Sequence, residues 1–494
     1  MALDLLQVSP PGPSYICLGG FTALVRPNSF RMHVLVVALV DYERSSLGGF
    51  SLVSFLIKEK LYVNEVVLGF VFGIIIGPFV SNIFAPHSWG SLNNTITLEV
   101  MRIVLVIGLF AAGVELPRAY MKKHAKSLLV MVVPTMAFGW VVVAAVIHVL
   151  FPKLDYVSAL CIAACLTPTD PVTCAAITHG EFAKKHVPED IRHILLAEAA
   201  ANDGLAYPFL SISIYLTVET SVQTAIGKWF LVGWLYQVIL GTTLGAVLGF
   251  LFSKFMKISH KQGFINHGSY ISQYLALPIF TMGIASTVGA DDLLAAFAAG
   301  CAISWDGHFH KQTEDDSFSS VIDYVLNCCC FIYIGAWLPF HAYDFPEYGI
   351  TPWKLVLLVI AIMVLRRIPF LLAVYKFVPE IKSWQQALFS GHFGEQLFYL
   401  WHCFHLKCLN PAYRPIFVSA LALTRLPTPE NPPADQAQCL AATIQPIVSF
   451  VVLGSIIIHG LSIPFFNIGR IACSRTTRSS KTSADHTPVA DPLC

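Results

Sequence analysis

The chain has 494 residues, of which 55% are hydrophobic and 12% are charged, and its net charge is +1. Soluble domains carry roughly 25% charged residues, so this composition excludes an ordinary soluble protein and indicates many membrane crossings. The near-neutral charge also excludes a nucleic-acid partner, which needs a concentrated basic face.

Apolar runs long enough to cross a bilayer, about 20 residues each, recur along the sequence. They predict an all-α polytopic membrane protein with about 12 or 13 transmembrane helices. The predicted spans are 45–57, 66–84, 98–116, 128–151, 157–178, 191–217, 229–253, 270–288, 290–305, 321–340, 353–376, 384–404 and 442–466.

The basic residues of the short loops predict the orientation, because cytoplasmic loops carry the excess of Lys and Arg. Loop 117–127 has four, loop 179–190 has two and loop 254–269 has three, whereas loops 85–97 and 341–352 have none. This alternation predicts a cytoplasmic C-terminus.

The fifth predicted span contains the stretch LTPTDPVTC, with Pro168 and Pro171 on either side of Thr169 and Asp170. Each proline removes a backbone donor and disrupts the helix. Freed backbone groups are tolerated at membrane depth only where they line a cavity or are covered by protein. The stretch therefore favours a broken helix of the kind that forms ion sites in secondary transporters, with a simple proline kink as the alternative.

The sixth predicted span contains EAAANDG, which places Glu198, Asn202 and Asp203 at mid-membrane. Glu198 and Asn202 share a helical face, while Asp203 is turned by about 100° from Asn202. This spacing lets Asp203 and Asn202 point into one cavity while Glu198 reaches a neighbouring helix. For Glu198 we expect a structural ion pair, with Arg366 or Arg367 of the eleventh span as its partner.

A carboxylate in a cavity of low dielectric constant can exchange protons near neutral pH. A small hard cation seeks the same oxygen ligands, so a proton and Na⁺ would compete for Asp203. Such competition produces antiport when only the loaded forms change conformation. The sequence has no P-loop motif for ATP, and we expect no cofactor.

Other candidate sites are less favoured. Asp291 and Asp292 begin a predicted helix and are best explained as capping charges, with cation attraction as the alternative. Four residues of zinc-ligand types also lie close together in the sequence: His402, Cys403, His405 and Cys408. Zinc needs a tetrahedral arrangement, which such compact spacing does not favour.

Several long stretches resemble, in order, the fungal plasma-membrane Na⁺/H⁺ antiporters of the monovalent cation:proton antiporter-1 (CPA1) family. They are LTPTDPV (166–172), HVPEDIRHILLAEAAANDGLAYPFL (186–210), DDLLAAFAAG (291–300), SSVIDYVLNCCCFIYIGAWLPF (319–340), LPTPENPP (426–433) and AATIQPIVSFVVLGSIIIHGLSIPFF (441–466). The resemblance implies thirteen transmembrane helices with inverted repeats and two crossed, discontinuous helices. It also implies a homodimer that exports Na⁺ and Li⁺, with K⁺ as a further candidate, in exchange for H⁺, and so serves salt tolerance and cation homeostasis.

Carried over by residue, the resemblance implies that Asn202 and Asp203 form the ion site, with Na⁺ at Asp203. Thr169 and Asp170 would be its partners on the unwound helix.

The same resemblance implies that Glu198 pairs with an arginine at 366 or 367. It places the two helix breaks at Pro168 and Pro171 and at Gly391 and Gly394.

Two segments depart from the family pattern, namely 33–46 and 395–418. Both are typical of translated introns or gene-model faults, with real divergence as the alternative. We therefore divide the chain into a divergent segment 1–46, a transmembrane domain 47–470 and a disordered cytoplasmic tail 471–494.

Three other functions are alternatives. The two departing segments, 33–46 and 395–418, suggest a relative that does not transport ions. A cation channel would need a filter of backbone carbonyls from repeated subunits, and a broken helix with a carboxylate favours a transporter instead. A membrane enzyme is not expected, because no H-E-x-x-H or nucleophile motif is present. Ion preference and transport stoichiometry stay open.

Overall fold

The computed structural model describes residues 65–168, 188–265, 267–313, 318–391, 413–429 and 433–480. Within these ranges the chain is helical, apart from connecting turns and one isolated antiparallel bridge between Phe345 and Ile350. The predicted all-α class is confirmed. The helices are α1 Glu65–Ile76, α2 Asn93–Glu115, α3 Ala125–Leu150, α4 Tyr156–Leu166, α5 Glu189–Val218, α6 Val222–Lys261, α7 His267–Val288, α8 Asp292–Ile303, α9 His308–Thr313, α10 Phe318–Trp337, α11 Pro352–Leu365, α12 Ile368–Val374, α13 Trp384–Gly391, α14 Tyr413–Leu423 and α15 Gln436–Ser480.

Six helical stretches of the described residues are long and apolar enough to cross a membrane. They are Asn94–Glu115, Ala125–Leu150, Val222–Lys261, Tyr270–Val288, Pro352–Phe377 and Gln436–Ile458. Shorter apolar helices such as α4, α8 and α14 lie among them. The chain is therefore a multi-pass membrane protein. The predicted span 45–57 lies outside the described residues.

Two helices extend well past their predicted spans. Helix α6 begins seven residues before the predicted span 229–253 and ends eight after it. Helix α15 ends at Ser480, so it enters the segment 471–494 that the sequence assigned to a disordered tail. Hydropathy detects only the apolar part of a helix, and a polar continuation outside the bilayer has no such signal.

Helix α8 is held between two longer helices by close backbone contact. A side chain at Gly245 of α6 would overlap the carbonyl oxygen of Ala295, and one at Gly249 would overlap that of Ala299. On the other side, Gly300 lies against the carbonyl oxygen of Phe110 in α2. Small residues allow this approach, which is the usual basis of helix packing in membranes.

Helix α5 passes through the interior of the molecule. It packs against α2, α3, α4, α8 and α14, and most of its side chains are buried. Its 30 residues correspond to about 45 Å of helix, more than the hydrocarbon core requires. The polar residues of EAAANDG therefore lie in its central, enclosed part.

Candidate functional site

The three polar residues of α5 are almost completely buried, with Glu198, Asn202 and Asp203 each 1% exposed. Asn202 hydrogen bonds to the Glu198 side chain, because residues four apart share a helical face. Asp203 is turned away from them and lines a cavity. Among the described residues that line this cavity, Asn202 is absent; that Asn202 and Asp203 form one ion site stays a prediction.

Glu198 forms an ion pair with Arg367, whose Nη2 lies 2.6 Å from Glu198 Oε2. The Nε of Arg367 also donates to the backbone oxygen of Ser390 at 3.0 Å. Both charged side chains are enclosed, with 5% of the arginine side chain and 1% of the glutamate side chain exposed. The pair therefore joins α5 to the segment between α11 and α12 and to α13.

Arg366 points elsewhere, although it is the neighbour of Arg367. Its Nη1 donates to the backbone oxygen of Leu166 at 2.9 Å. Leu166 is the last residue of α4, so this carbonyl has no partner within its own helix. The two arginines thus have separate tasks: Arg367 faces a carboxylate, and Arg366 caps a helix end.

The end of α4 lies at the predicted helix break. The helix ends at Leu166, and the Thr167 Oγ1 donates to the backbone oxygen of Ala163 at 2.6 Å. Pro168 follows and is buried. Three residues of the predicted break and ion site lie outside the described residues: Thr169, Asp170 and Pro171.

At the second predicted break, Gly391 is the last residue of α13. Gly394 and the four zinc-type residues from His402 to Cys408 lie outside the described residues. In the part of the chain that the structure describes, no three His, Cys, Asp or Glu side chains are grouped as a metal site.

Asp203 has a charged partner that the sequence did not reveal. Arg414, the second residue of α14, places its Nη1 2.6 Å from Asp203 Oδ1. Its Nη2 donates to the backbone oxygen of Asp203. Only 2% of the arginine side chain and none of the aspartate side chain is exposed. The available signal was a basic residue at the start of the apolar run PIFVSALAL, which needs a buried counter-charge.

The cavity beside Asp203 has a volume of about 40 Å³, enough for a few waters, since one water needs about 10–15 Å³. Among the described residues, those that line it come from α2, α5, α6, α7, α8, α14 and the turn before α8. Its polar side chains are those of Arg102, Asp203, Tyr207, Gln237, Ser286, Asp291, Asp292 and Arg414. Three carboxylates and two guanidinium groups line one small space.

Arg102 and Asp292 form the second charged pair of the cavity. Arg102 Nε lies 3.4 Å from Asp292 Oδ2, and its Nη1 lies 3.2 Å from Glu99 Oε1. The Ser286 hydroxyl donates to Asp292 Oδ2 at 3.1 Å. Asp292 is therefore more than a capping charge, because it links α8 to α2 and α7.

Asp291 has the capping role that the sequence favoured. Its Oδ1 accepts a hydrogen bond from the backbone N–H of Leu294 at 2.9 Å, at the start of α8. Opposite this helix start, Gln237 Nε2 donates to the backbone oxygen of Gly289 at 2.6 Å. Gln237 lies in Trp229–Leu240, a part of α6 wound as a π-helix, and such winding is frequent at functional sites.

A separate group of titratable side chains lies where α6 and α8 end and α7 and α9 begin. Lys257 and Asp306 form an ion pair there. The His308 ring lies 6.2 Å from that of His260 and 5.9 Å from that of Tyr270, measured between centroids. Burial and the nearby Lys257 ammonium lower the pKa of His308 below its ordinary value.

The fold and the site together define a class of protein. It is a multi-pass helical membrane protein in which one helix ends two residues before Pro168 and buried charged side chains line a small cavity. The family model for the sodium/hydrogen exchanger transmembrane domain matches residues 48–398. The chain belongs to this family of transporters.

Its relatives include fungal antiporters. A probable Na⁺/H⁺ antiporter of Schizosaccharomyces pombe is 38% identical over 98% of this chain, and a Na⁺/H⁺ antiporter of Saccharomyces cerevisiae is 36% identical over 99%. The chain spans 60% and 46% of their respective lengths. A second S. pombe Na⁺/H⁺ antiporter is 37% identical over 82% of this chain and 85% of its own length.

The fold is that of a solved antiporter. The sodium proton antiporter MjNhaP1 from Methanocaldococcus jannaschii, at pH 8, superposes with a TM-score of 0.60. The match covers 88% of this chain and 98% of the other, at 16% sequence identity. The predicted Na⁺/H⁺ antiporter fold is therefore confirmed.

Proposed function

We propose that this chain is a secondary antiporter that exports Na⁺ and Li⁺ in exchange for H⁺. The observation that supports this most directly is the buried carboxylate of Asp203 beside a small polar cavity, in a chain of the sodium/hydrogen exchanger family. The named activity of its fungal relatives supports the same conclusion.

The mechanism follows from the charge of one carboxylate. An ionised Asp203 is costly at membrane depth, so its charge must be matched by Arg414, by a transported cation or by a proton. Because Na⁺ and H⁺ use the same oxygen atoms, occupation by one excludes the other. If the unoccupied site opposes the change between inward- and outward-facing states, each return carries the competing ion, and exchange results.

The other predicted site residues supply ligands and support. Thr169 and Asp170 follow the end of α4, from which oxygen ligands could complete the cation shell. The pair of Glu198 and Arg367 fixes α5 against α13, and Asn202 is hydrogen bonded to that glutamate. In this proposal Asn202 orients the pair rather than coordinating the cation.

We further propose a plasma-membrane homodimer with its C-terminus in the cytoplasm. The loops rich in basic residues, including 117–127, support the orientation. Protease accessibility of a C-terminal tag in sealed plasma-membrane vesicles checks the orientation, and cross-linking in the same vesicles checks the dimer.

Transport by the purified chain tests the proposal. The chain is reconstituted into liposomes with an acidic interior, and proton efflux is followed with a pH-sensitive dye after Na⁺, Li⁺ or K⁺ is added at saturating concentration. We expect Na⁺ and Li⁺ to drive proton efflux and Asp203→Asn to abolish it. Asp306→Asn makes the same chemical change outside the membrane-spanning helices and should leave the flux unchanged.

Wild-type flux in the Asp203→Asn variant would show that another residue exchanges the ions. Absence of cation-driven flux in the unmodified chain at every cation concentration would contradict the proposed activity of this chain.

A further inference from the structure

Arg414 both pairs with Asp203 and lines the cavity, whereas a purely structural arginine needs only the pair. Its guanidinium contacts Asp203 twice, at the carboxylate and at the backbone oxygen. Its side chain also lines the cavity. The group therefore lies where a cation bound to Asp203 would lie.

The pair of Arg367 and Glu198 provides an internal comparison. It has the same separation of 2.6 Å and is equally enclosed. Arg367 is also held by the backbone oxygen of Ser390, and among the described residues neither member of that pair lines the cavity. Arg414 instead lines the small cavity beside Asp203.

The charges of the cavity indicate what Arg414 does there. Asp203, Asp291 and Asp292 contribute three carboxyl groups, and Arg102 and Arg414 contribute two guanidinium groups. Arg102 is already engaged by Glu99 and Asp292. Without Arg414, the Asp203 carboxylate would lose the guanidinium that faces it, and the negative potential of the cavity would attract a cation from solution.

We infer that Arg414 is a tethered cation that occupies the site at Asp203 and competes with the transported ion. A guanidinium presents the same positive charge as Na⁺ and binds carboxylate oxygens strongly. Because it belongs to α14, its local concentration is fixed and high. Na⁺ or Li⁺ must displace it, so the chain binds these ions weakly and transports them only at high concentration.

This inference rests on the proposed function for its physiological meaning, but it concerns binding and can be measured without transport. The test is binding of radioactive Na⁺ to the purified full chain by scintillation proximity, with Li⁺ as competitor. The variants are Arg414→Gln, the same variant combined with Asp203→Asn, and Arg425→Gln as a control that removes a positive charge after the end of α14.

We expect Arg414→Gln to bind Na⁺ about tenfold more tightly or better, because Na⁺ no longer has to displace the charged hydrogen bond between Arg414 and Asp203. Adding Asp203→Asn should abolish the gain, and Arg425→Gln should match the unmodified chain. Unchanged or weaker Na⁺ binding by a monodisperse Arg414→Gln protein would overturn the inference.

Arg414→Lys provides a second test that keeps a positive charge in the buried site and so protects folding. The ammonium has a single charged group and loses the second contact to the backbone oxygen, so Na⁺ should bind a few-fold more tightly than to the unmodified chain. Binding unchanged from the unmodified chain, or as tight as in Arg414→Gln, would contradict competition by a tethered charge.

Binding and flux separate this inference from the proposed function. Tighter Na⁺ binding by Arg414→Gln without any cation-driven proton flux would support the tethered cation and contradict antiport. Cation-driven flux with equal Na⁺ affinity in both proteins would support antiport and contradict the tethered cation.

Discussion

Replacing Glu198 with glutamine removes the negative charge that faces Arg367 inside the membrane domain. The two groups lie 2.6 Å apart, and 5% or less of either side chain is exposed. Removing one member of such a pair leaves a buried charge without its partner, which costs roughly 3–5 kcal/mol. Arg367→Gln should cost about 1 kcal/mol more, because it also loses the hydrogen bond to Ser390.

The double variant separates pairing from other effects. Glu198→Gln combined with Arg367→Gln leaves two neutral amides that can hydrogen bond to each other, and replacing both members of a buried pair is often nearly neutral. We therefore expect the double variant to be more stable than either single variant, with a coupling energy of at least about 3 kcal/mol.

Unfolding of the purified chain by SDS in mixed micelles measures these changes, with the fluorescence of its 9 tryptophans as the signal. Glu219→Gln is the matched control. Its ion pair with Lys228 has the same 2.6 Å separation but is partly exposed, at 22% and 33%. We expect that control to change the free energy of unfolding by only about 0–1 kcal/mol. Additive single effects, or a Glu198→Gln change as small as the control, would refute the argument.

Two further predictions concern packing and pH. Gly245→Ala should destabilise the chain by about 1–3 kcal/mol in the same SDS titration, because the new methyl group overlaps a carbonyl oxygen of α8. Gly227→Ala, in the same helix run but with open space around it, should be neutral or stabilising by up to about 1 kcal/mol; equal effects would contradict the packing. Burial and the nearby Lys257 ammonium hold the pKa of His308 below the ordinary histidine value of 6.5. The unfolded chain therefore binds this proton first, and stability should fall as the pH drops below 6.5. His308→Gln should reduce this loss in thermal unfolding at several pH values, and an identical pH profile would exclude the contribution.

Much of the fold could be predicted from the sequence because the bilayer restricts which backbone structures can span it. Apolar runs gave the helical class, and prolines after Leu166 predicted where α4 ends. The polar ends of α6 and α15 could not be predicted, since hydropathy has no signal for a helix that continues in water. The contact of Gly245 with α8 depends on which helices are neighbours, and a single sequence does not contain that information.

The sequence indicated most of the buried polar residues of the candidate site, but it did not indicate every pair that they form. Buried charges at Glu198, Asp203 and Arg367 were recognisable because each is costly in an apolar helix. The partner of Asp203 was missed because Arg414 is 211 residues away and lies in the segment 395–418, which departs from the family pattern. Asn202 hydrogen bonds to Glu198 because the two are four residues apart; its place in the ion site with Asp203 stays a prediction.

The most direct test of the central claim is cation-driven proton flux in proteoliposomes, measured over a range of Na⁺ concentrations up to saturation. It compares the unmodified chain, Asp203→Asn, and Arg414→Gln with and without Asp203→Asn. The account predicts flux in the unmodified chain, a lower Na⁺ requirement in Arg414→Gln, and no flux in either protein that lacks the Asp203 carboxylate. Cation-driven flux that survives Asp203→Asn in either background would contradict it.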